Sequence, residues 1–445
     1  MGYYRIDKNP ETLYMSSFLK KIVLAILAWE ARAVLVKFKP KIVAVTGSVG
    51  KSSTKEAITV VLAAKYHVRK SPKSYNSAFG IPLTILGLST AWRSPIGWGA
   101  VIMRGFLARF QKEYPEILVL ETGVDRPGDM DSILSIIEPH VSVITAIGEI
   151  PVHVEFFSGP KELAFEKGKL ARGTLSTGLV LLNADDEIVY DMRNEARGKV
   201  VTFGFGKGAD IRASQYTLFT QKNALNIEVP AGIRCKIDYQ GSTVPLHVEN
   251  VLGKQQLYMA VAAIGVAGYF GINALSAARA LEGYQPLAGR LHILEGIKNS
   301  ILLDDSYNAS PIAMHAALDT LRDVPARRRI AALADMLEIG KFTIQAHQTM
   351  GELAAGFLDI LVTVGPRAKF IAREAMERGM KRESVHELGS AVEAGKLLQN
   401  MLQPGDVVLV KGSQSMRMER AVEEVMAHPE LKKDLLVRQE EYWTN

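Results

Sequence analysis

From Lys41 onward the chain alternates short, continuous apolar runs with longer stretches of helical spacing. KIVAVTG reads as a buried strand, and KSSTKEAITVVLAAK directly after it as a helix. EILVLETG (residues 116–123), VSVITAIG (141–148) and LVLLNAD (179–185) repeat the theme, each followed by a helical stretch. Such alternation predicts a parallel sheet covered by helices. Between Lys199 and His247 the texture changes to short alternating segments with glycine turns, which predicts small antiparallel strands. An alanine-rich helix is expected over Gln255 to Phe270. A second alternating series starts near Gly289, with strands SILLDD, RRIAALAD, DILVTVG and DVVLVKG. Ser310 can cap the helix that Pro311 opens. The expected fold class is therefore α/β: a central domain over 41–285, with a parallel sheet and a small antiparallel region, then a Rossmann-like α/β domain over 286–445.

Residues 1–40 are expected to be an amphipathic helical segment. Ile22 to Trp29 is an unbroken apolar run flanked by Lys20-Lys21 and by Glu30 and Arg32. Spanning a bilayer takes about 20 such residues. A cleaved leader is disfavoured because the first core strand follows within a few residues. Two readings remain: a helix packed on the protein's own surface, or a basic helix lying on a membrane with Phe18 and Trp29 at the interface. A second apolar segment, Ile96 to Phe110, lies within the long stretch Trp92 to Tyr114. Residues 18–38 and 96–110 are expected to pack together beside the domain that begins with the first strand.

Composition narrows the classes. Hydrophobic residues at 48% and charged residues at 22% describe an ordinary globular chain, and 445 residues hold about three domains. Lys and Arg total 53 against 47 Asp and Glu, a net charge of +6, which permits an anionic substrate or a membrane surface and requires neither. No basic block carries interleaved aromatics, so nucleic acid is not an expected partner. Cys235 stands alone, which excludes an intrachain disulfide and fits a reducing, cytoplasmic interior.

The strongest chemical signal is Thr46-Gly47-Ser48-Val49-Gly50-Lys51-Ser52-Ser53, placed between a strand and a helix. Glycines let backbone N–H groups and a helix N-terminus face a phosphate. Lys51 would reach the β/γ-phosphates and Ser52 would ligate Mg²⁺. Glu121 ends a strand expected beside this one, where a carboxylate can hold a cation or cap a helix. His153 follows the third strand at the ligand edge, with Glu155 expected nearby. Lys167 lies on an apolar stripe with Leu163 and Leu170, while Glu166 and Lys169 are expected on the solvated face. A lysine so placed needs an anion or loses its charge. Three more polar clusters sit at strand ends: Asp304 to Asn308, then Asp335-Met336 with Glu338, then Lys411-Gly412-Ser413, all preceded by Gly289-Arg290.

TGSVGKSSTKE, YNSAFGIPLTIL, LETGVDRPGDM, PVHVEFFSGPKELAFEKGKL, PLAGRL, LLDDSYNASPIAMHAAL, ADMLEIG with His347 after it, and VKGSQSMRME occur in one order between about residues 41 and 425. In these stretches the chain resembles the Mur ligase family, most closely the branch that adds D-alanyl-D-alanine to a muramoyl-peptide precursor in peptidoglycan synthesis. The resemblance implies ATP and Mg²⁺ as cofactors and an acyl-phosphate intermediate. It implies Ser52 and Glu121 as ligands of a first Mg²⁺, and His153 and a carbamylated Lys167 at a second. It places Arg290 and Asp305 on the nucleotide, Gln256 where an adenine contact is expected, and Asn76, Asn308 and Lys411 near the substrates. Family members begin with a domain for the uridine-diphosphate sugar, whereas barely 40 residues precede the P-loop here. The 18–38 and 96–110 segments are therefore expected to form a shortened substrate platform, with peripheral contact to the inner membrane face. Two alternatives stand beside this reading. One is a ligase of the superfamily acting on another acidic substrate, cyanophycin-like or folylpolyglutamate-like. The other is a non-catalytic P-loop nucleotide-binding protein.

Overall fold

In the computed structural model, which describes residues 17–72, 75–91, 94–222, 228–440 and 443, the first alternating series forms one nine-stranded sheet. Its strands are β1 (Lys41–Thr46), β2 (Val68–Lys70), β3 (Ile117–Glu121), β4 (Val141–Ile144), β5 (Leu179–Asn183), β6 (Lys199–Gly204), β7 (Ile211–Lys222), β8 (Glu228–Tyr239) and β9 (Ser242–Glu249). They lie in the order β2-β3-β1-β4-β5-β6-β7-β8-β9 and pair in parallel as far as β7. Only β7–β8 and β8–β9 are antiparallel. The expected small antiparallel region is thus corrected in two ways. Lys199–Gly204 is a parallel strand, and β7 and β8 run 12 residues each as a direct extension of the main sheet. Ile233, Cys235 and Ile237 alternate into the same core as β1, so that extension has an apolar face to bury. Gln240 (φ 49°) and Gly241 (φ 74°) make the two-residue turn between β8 and β9, where positive φ matches the twist of the flanking strands.

Helices cover both faces: α1 (Ser17–Phe38), α2 (Lys51–Ala63), α3 (Gly80–Leu86), α4 (Pro95–Ala108), α5 (Asp129–Leu134), α6 (Pro160–Arg172), α7 (Glu187–Asp191), α8 (Lys254–Tyr269) and α9 (Ala274–Leu281). Val43, Val45, Ile117 and Val119 point to α2, α8 and α9, while Ile42, Ala44, Leu118 and Leu120 point to α1, α3 and α4. This period of two divides one central strand pair between two cores. Val23, Leu27, Ala31 and Val34 form the buried stripe of α1. At Gly105 of α4, an added Cβ would lie 2.0 Å from Glu30 Oε2, so glycine allows the two helices to meet. The two apolar segments therefore do pack together, against α3 and the sheet.

The second series forms a six-stranded sheet of β10 (His292–Gly296), β11 (Ser300–Asp305), β12 (Arg328–Ala334), β13 (Ile360–Val364), β14 (Val385–Leu388) and β15 (Asp406–Lys411). The order is β10-β11-β15-β12-β13-β14, with β10 the antiparallel edge. Both edge strands are short or half-exposed and lack the apolar run that marks the four inner strands. Its helices are α10 (Pro311–Asp323), α11 (Thr343–Ala355), α12 (Lys369–Glu377), α13 (Ala391–Met401), α14 (Glu419–Val425) and the short α15 (Lys432–Leu435). Ser310 caps α10 as expected, its Oγ accepting from Ala313 N at 3.3 Å. The carboxyl edges of the two sheets face each other. The Ile312 side chain comes within 3.3 Å of where a Gly148 Cβ would stand, and Glu155 packs against Gly340.

Candidate active site

The P-loop runs from the end of β1 into α2. Gly47 (φ 146°) and Gly50 (φ 85°) hold positive φ. Ser48 N and Val49 N both donate to Ala146 O, at 2.6 and 3.2 Å, so the loop is braced on the segment after β4. Thr145 Oγ1 adds bonds to Thr46 O (3.1 Å) and Val49 O (2.6 Å). Lys51 folds back to donate to Gly47 O at 3.0 Å. Lys167, arriving from α6, donates to the same carbonyl at 3.2 Å. Lys167 is buried, and its ammonium is pushed down to about 7, first by burial and then by the charge of Lys51. Two cations on one carbonyl oxygen are favourable only beside further negative charge.

Beside them, β3 delivers Glu121 in register with Val45. Ser52 Oγ donates to Glu121 Oε2 at 2.9 Å and Asn76 Nδ2 to its Oε1 at 3.3 Å. Burial works against the charge on Glu121, but Lys55 at 3.7 Å, together with Lys51 and Ser52, holds its carboxyl below the usual carboxylate range. A hydroxyl and an ionised carboxylate in contact are the hard oxygen donors that suit Mg²⁺, so this pair fits a first cation. Among the described residues no cluster of three or more His, Cys, Asp or Glu groups forms a ready metal cage.

His153 holds positive φ (71°), with Nε2 3.4 Å from Asp125 Oδ1 and Nδ1 3.1 Å from Glu338 Oε2. Its expected neighbour Glu155 instead faces Gly340. Glu166 corrects a second expectation. It is buried rather than solvated, because its Oε1 accepts from Gly128 N and Met130 N, both at 3.0 Å, and its Oε2 pairs with Lys169 at 2.6 Å. A carboxylate there meets the exposed N–H groups that open α5. Phe165, one residue earlier, is 56% exposed.

The second domain closes the cleft. Arg290 lies close enough to Lys51 and Glu121 to lower the pKa of both. Its carbonyl accepts from Gln256 Nε2 at 3.2 Å, and its guanidinium stands 4.0 Å from the Tyr307 ring centroid. Asp305 accepts from Leu291 N at 3.2 Å and pairs with Lys411 Nζ at 2.5 Å. Lys411 also donates to Asn308 O at 3.1 Å, and Asn308 Oδ1 accepts from Gln414 N at 3.3 Å. Asp335 is a helix cap, accepting from Arg367 N and Ala368 N at 2.9 and 2.7 Å. His347 is a structural pin: its Nε2 accepts from Met336 N at 3.0 Å, while Nδ1 bonds Thr343 O at 2.7 Å.

Comparison with known proteins bears on this arrangement. The profile of the Mur ligase middle domain matches residues 100–267, and that of the Mur ligase glutamate ligase domain matches residues 289–414. The chain belongs to the Mur ligase family. A UDP-N-acetylmuramoyl-tripeptide–D-alanyl-D-alanine ligase from Bacillus subtilis is 26% identical over 401 residues, covering 90% of this chain and 79% of that one. Its counterpart from Mycobacterium leprae is 29% identical, covering 88% and 75%. The crystal structure of the MurF ligase of Thermotoga maritima in complex with ADP superposes with a TM-score of 0.74 at 25% identity, covering 90% of this chain and 83% of that one.

Within this Mur ligase, the structure gathers Lys51, Ser52, Glu121, Asn76 and Lys167 around the P-loop, and Arg290 reaches them from the second domain. Asp305, Asn308 and Lys411 form a separate cluster tied to one another. Asp125 was missed in the sequence. It stands beside His153 and favours the charged forms of Lys51 and Lys167. Its signal was a lone aspartate two residues past Gly123, indistinguishable from a turn residue. Tyr284, buried near Ser53 of α2, was missed as well, whereas Tyr307 belonged to the Asp304–Asn308 cluster already singled out.

Proposed function

We propose that this Mur ligase uses MgATP to join D-alanyl-D-alanine to the peptide carboxyl of a muramoyl-peptide precursor. The observation that carries the reading is the P-loop with Lys51 folded onto Gly47 O and the charge of Arg290 acting on Lys51 from the second domain: two cations at such a loop form a site for a polyphosphate. In the first step an oxygen of the substrate carboxylate attacks the γ-phosphorus, ADP leaves, and an acyl phosphate forms. The amine of the dipeptide then attacks the acyl carbon, gives up a proton, and inorganic phosphate leaves. Lys51 and Arg290 stabilise the charge that builds on the phosphoryl oxygens. Ser52 and Glu121 would hold one Mg²⁺, while His153 and a carbamylated Lys167 would hold a second. The cations would offset repulsion between carboxylate and phosphate. A lysine with a pKa near 7 is partly neutral at neutral pH, so its amine can add to CO₂ and release a proton. Phosphate release by the full chain should require ATP, the muramoyl tripeptide and D-alanyl-D-alanine together. Equal release with glutamate as the acceptor would move the assignment to a glutamate-adding ligase.

The same reading includes peripheral contact with the inner membrane face through residues 18–38 and 96–110. No helix among the described residues is long and apolar enough to cross a membrane. Yet Phe18, Trp29, Val36, Ile96, Met103 and Phe110 are all exposed on or next to α1 and α4. These two helices carry Lys20, Lys21, Arg32, Lys37 and Arg104, and their only carboxylate, Glu30, is buried. Apolar side chains within a purely basic rim match an anionic lipid surface. Vesicles containing phosphatidylglycerol should sediment the full chain at low salt, and Trp29→Ser with Phe110→Ser should release it. Equal sedimentation by phosphatidylcholine alone, or none by either, would remove this part.

A further inference from the structure

The C-terminal tail makes contacts that the ligase chemistry does not itself require. Leu436 and Val437 are buried, and Arg438 is only 5% exposed although it carries a charge. Its guanidinium pairs with Glu419 Oε2 at 2.7 Å and donates to the Tyr307 carbonyl. Glu419 is held in turn by Arg417 Nε at 2.5 Å. The tail is thereby fastened to the loop that leaves Asp305.

Tyr307 connects the tail to the cleft. Its ring centroid lies 4.0 Å from the Arg290 guanidinium and 5.6 Å from that of Arg438. Tyr307 N donates to Gly289 O at 3.1 Å. Gly289 has φ 66°, and a Cβ there would meet Val437 Cγ1 and Tyr307 N, each at 3.0 Å. Tail, ring and the Gly289-Arg290 turn therefore form one packed unit. An arginine side chain gives up considerable rotamer freedom when it engages a ligand, and holding it beforehand lowers that cost.

We propose that Arg438 is a positioning residue: it fixes the Tyr307 ring, which aims Arg290 at the nucleotide phosphates. The proposal rests on the reading of Arg290 as a nucleotide contact. Its test uses the full chain and measures KM for ATP, kcat and the melting temperature of each variant. Arg438→Met should raise KM for ATP about 5- to 20-fold, in line with the cation–π and ordering terms lost, and change kcat less than about threefold. Tyr307→Leu, which leaves the Arg438–Glu419 pair in place, should reproduce that rise, while Tyr307→Phe should behave as the parent. In an Arg290→Ala background, Arg438→Met should add nothing, because its route to the nucleotide is already cut. An unchanged KM in Tyr307→Leu would overturn the proposal, as would independent multiplication of the Arg290 and Arg438 effects. If Arg290→Ala alone leaves KM for ATP unchanged, the assignment of Arg290 falls and this proposal falls with it. A raised KM in Arg290→Ala beside a flat Tyr307→Leu removes only the proposal.

Discussion

Two buried lysines, Lys411 from one wall of the cleft and Lys167 from the other, are accommodated differently. Lys411, at the end of β15, meets the Asp305 carboxylate at 2.5 Å and the Asn308 carbonyl at 3.1 Å. Lys167, in α6, donates to Gly47 O, an acceptor it shares with Lys51. Burial pushes both ammonium groups down; for Lys411 the contacting Asp305 leads the opposition to that push, whereas for Lys167 the charge of Lys51 adds to it before Asp125, Asp129 and Glu166 oppose it. The lesson is that burial alone does not mark a working lysine; the sign of its neighbours does. Lys411 is charge-matched within the fold and orders the Asp305–Asn308 loop. Lys167 shares its carbonyl acceptor with a second lysine, a crowding that a bound anion or a carbamate would relieve.

That contrast can be broken by substitution. Lys411→Met should destabilise the fold by about 3–5 kcal/mol in urea unfolding, since it strands the Asp305 carboxylate. Lys167→Met, by contrast, should leave stability at neutral pH unchanged or raised; equal losses in the two variants would erase the distinction. On activity, Lys51→Ala should lower kcat about 100-fold while the melting curve keeps its shape. Near-normal turnover in the folded variant would remove the P-loop assignment. Lys167→Ala should also be nearly inactive, and short carboxylates such as acetate should restore part of the rate. Full activity without them would make Lys167 a structural residue.

The smaller effects lie in pH dependence. With Lys167 near 7 in the fold and 10.5 when free, stability is lowest below pH 7, where burial opposes the charge, and climbs as pH rises from 7 to 10.5. Lys167→Met should flatten that climb, measured as the urea midpoint at pH 6.5 and 9. Asp304 acts with the opposite sign. Burial raises its carboxyl to about 6 from 3.8, so its contribution is complete below 3.8 and is lost as pH rises through 6. Asp304→Asn should make the fall in stability between pH 4 and 6 shallower. An unaltered slope would locate the titration elsewhere.

Much of this was legible in the chain itself. Short apolar runs of three to five residues marked β1, β3, β5, β11, β12, β13 and β15, and β4 showed the same texture despite Ser142, because strands buried on both faces favour apolar side chains. The P-loop declared itself by glycines at positions that require positive φ. Lys167 was singled out because helical spacing put it among leucines. Glu166 was misplaced because spacing within one helix carries no information about the N-terminus of another. β10 and β14 were absent because edge strands need no apolar run.

What the sequence determined by itself was therefore local: which segments are strands or helices, which turns need glycine, and which residue types sit at strand ends. The tertiary structure decided which of those ends meet. It set Asp125 beside His153, brought Arg290 to Lys51 across the cleft, gave Lys411 a carboxylate and Lys167 a shared carbonyl, and stacked Tyr307 near Arg438. The physical reason is that periodicity records the environment of a side chain, apolar or wet. The sign and distance of its charged neighbours depend on segments that lie elsewhere in the chain.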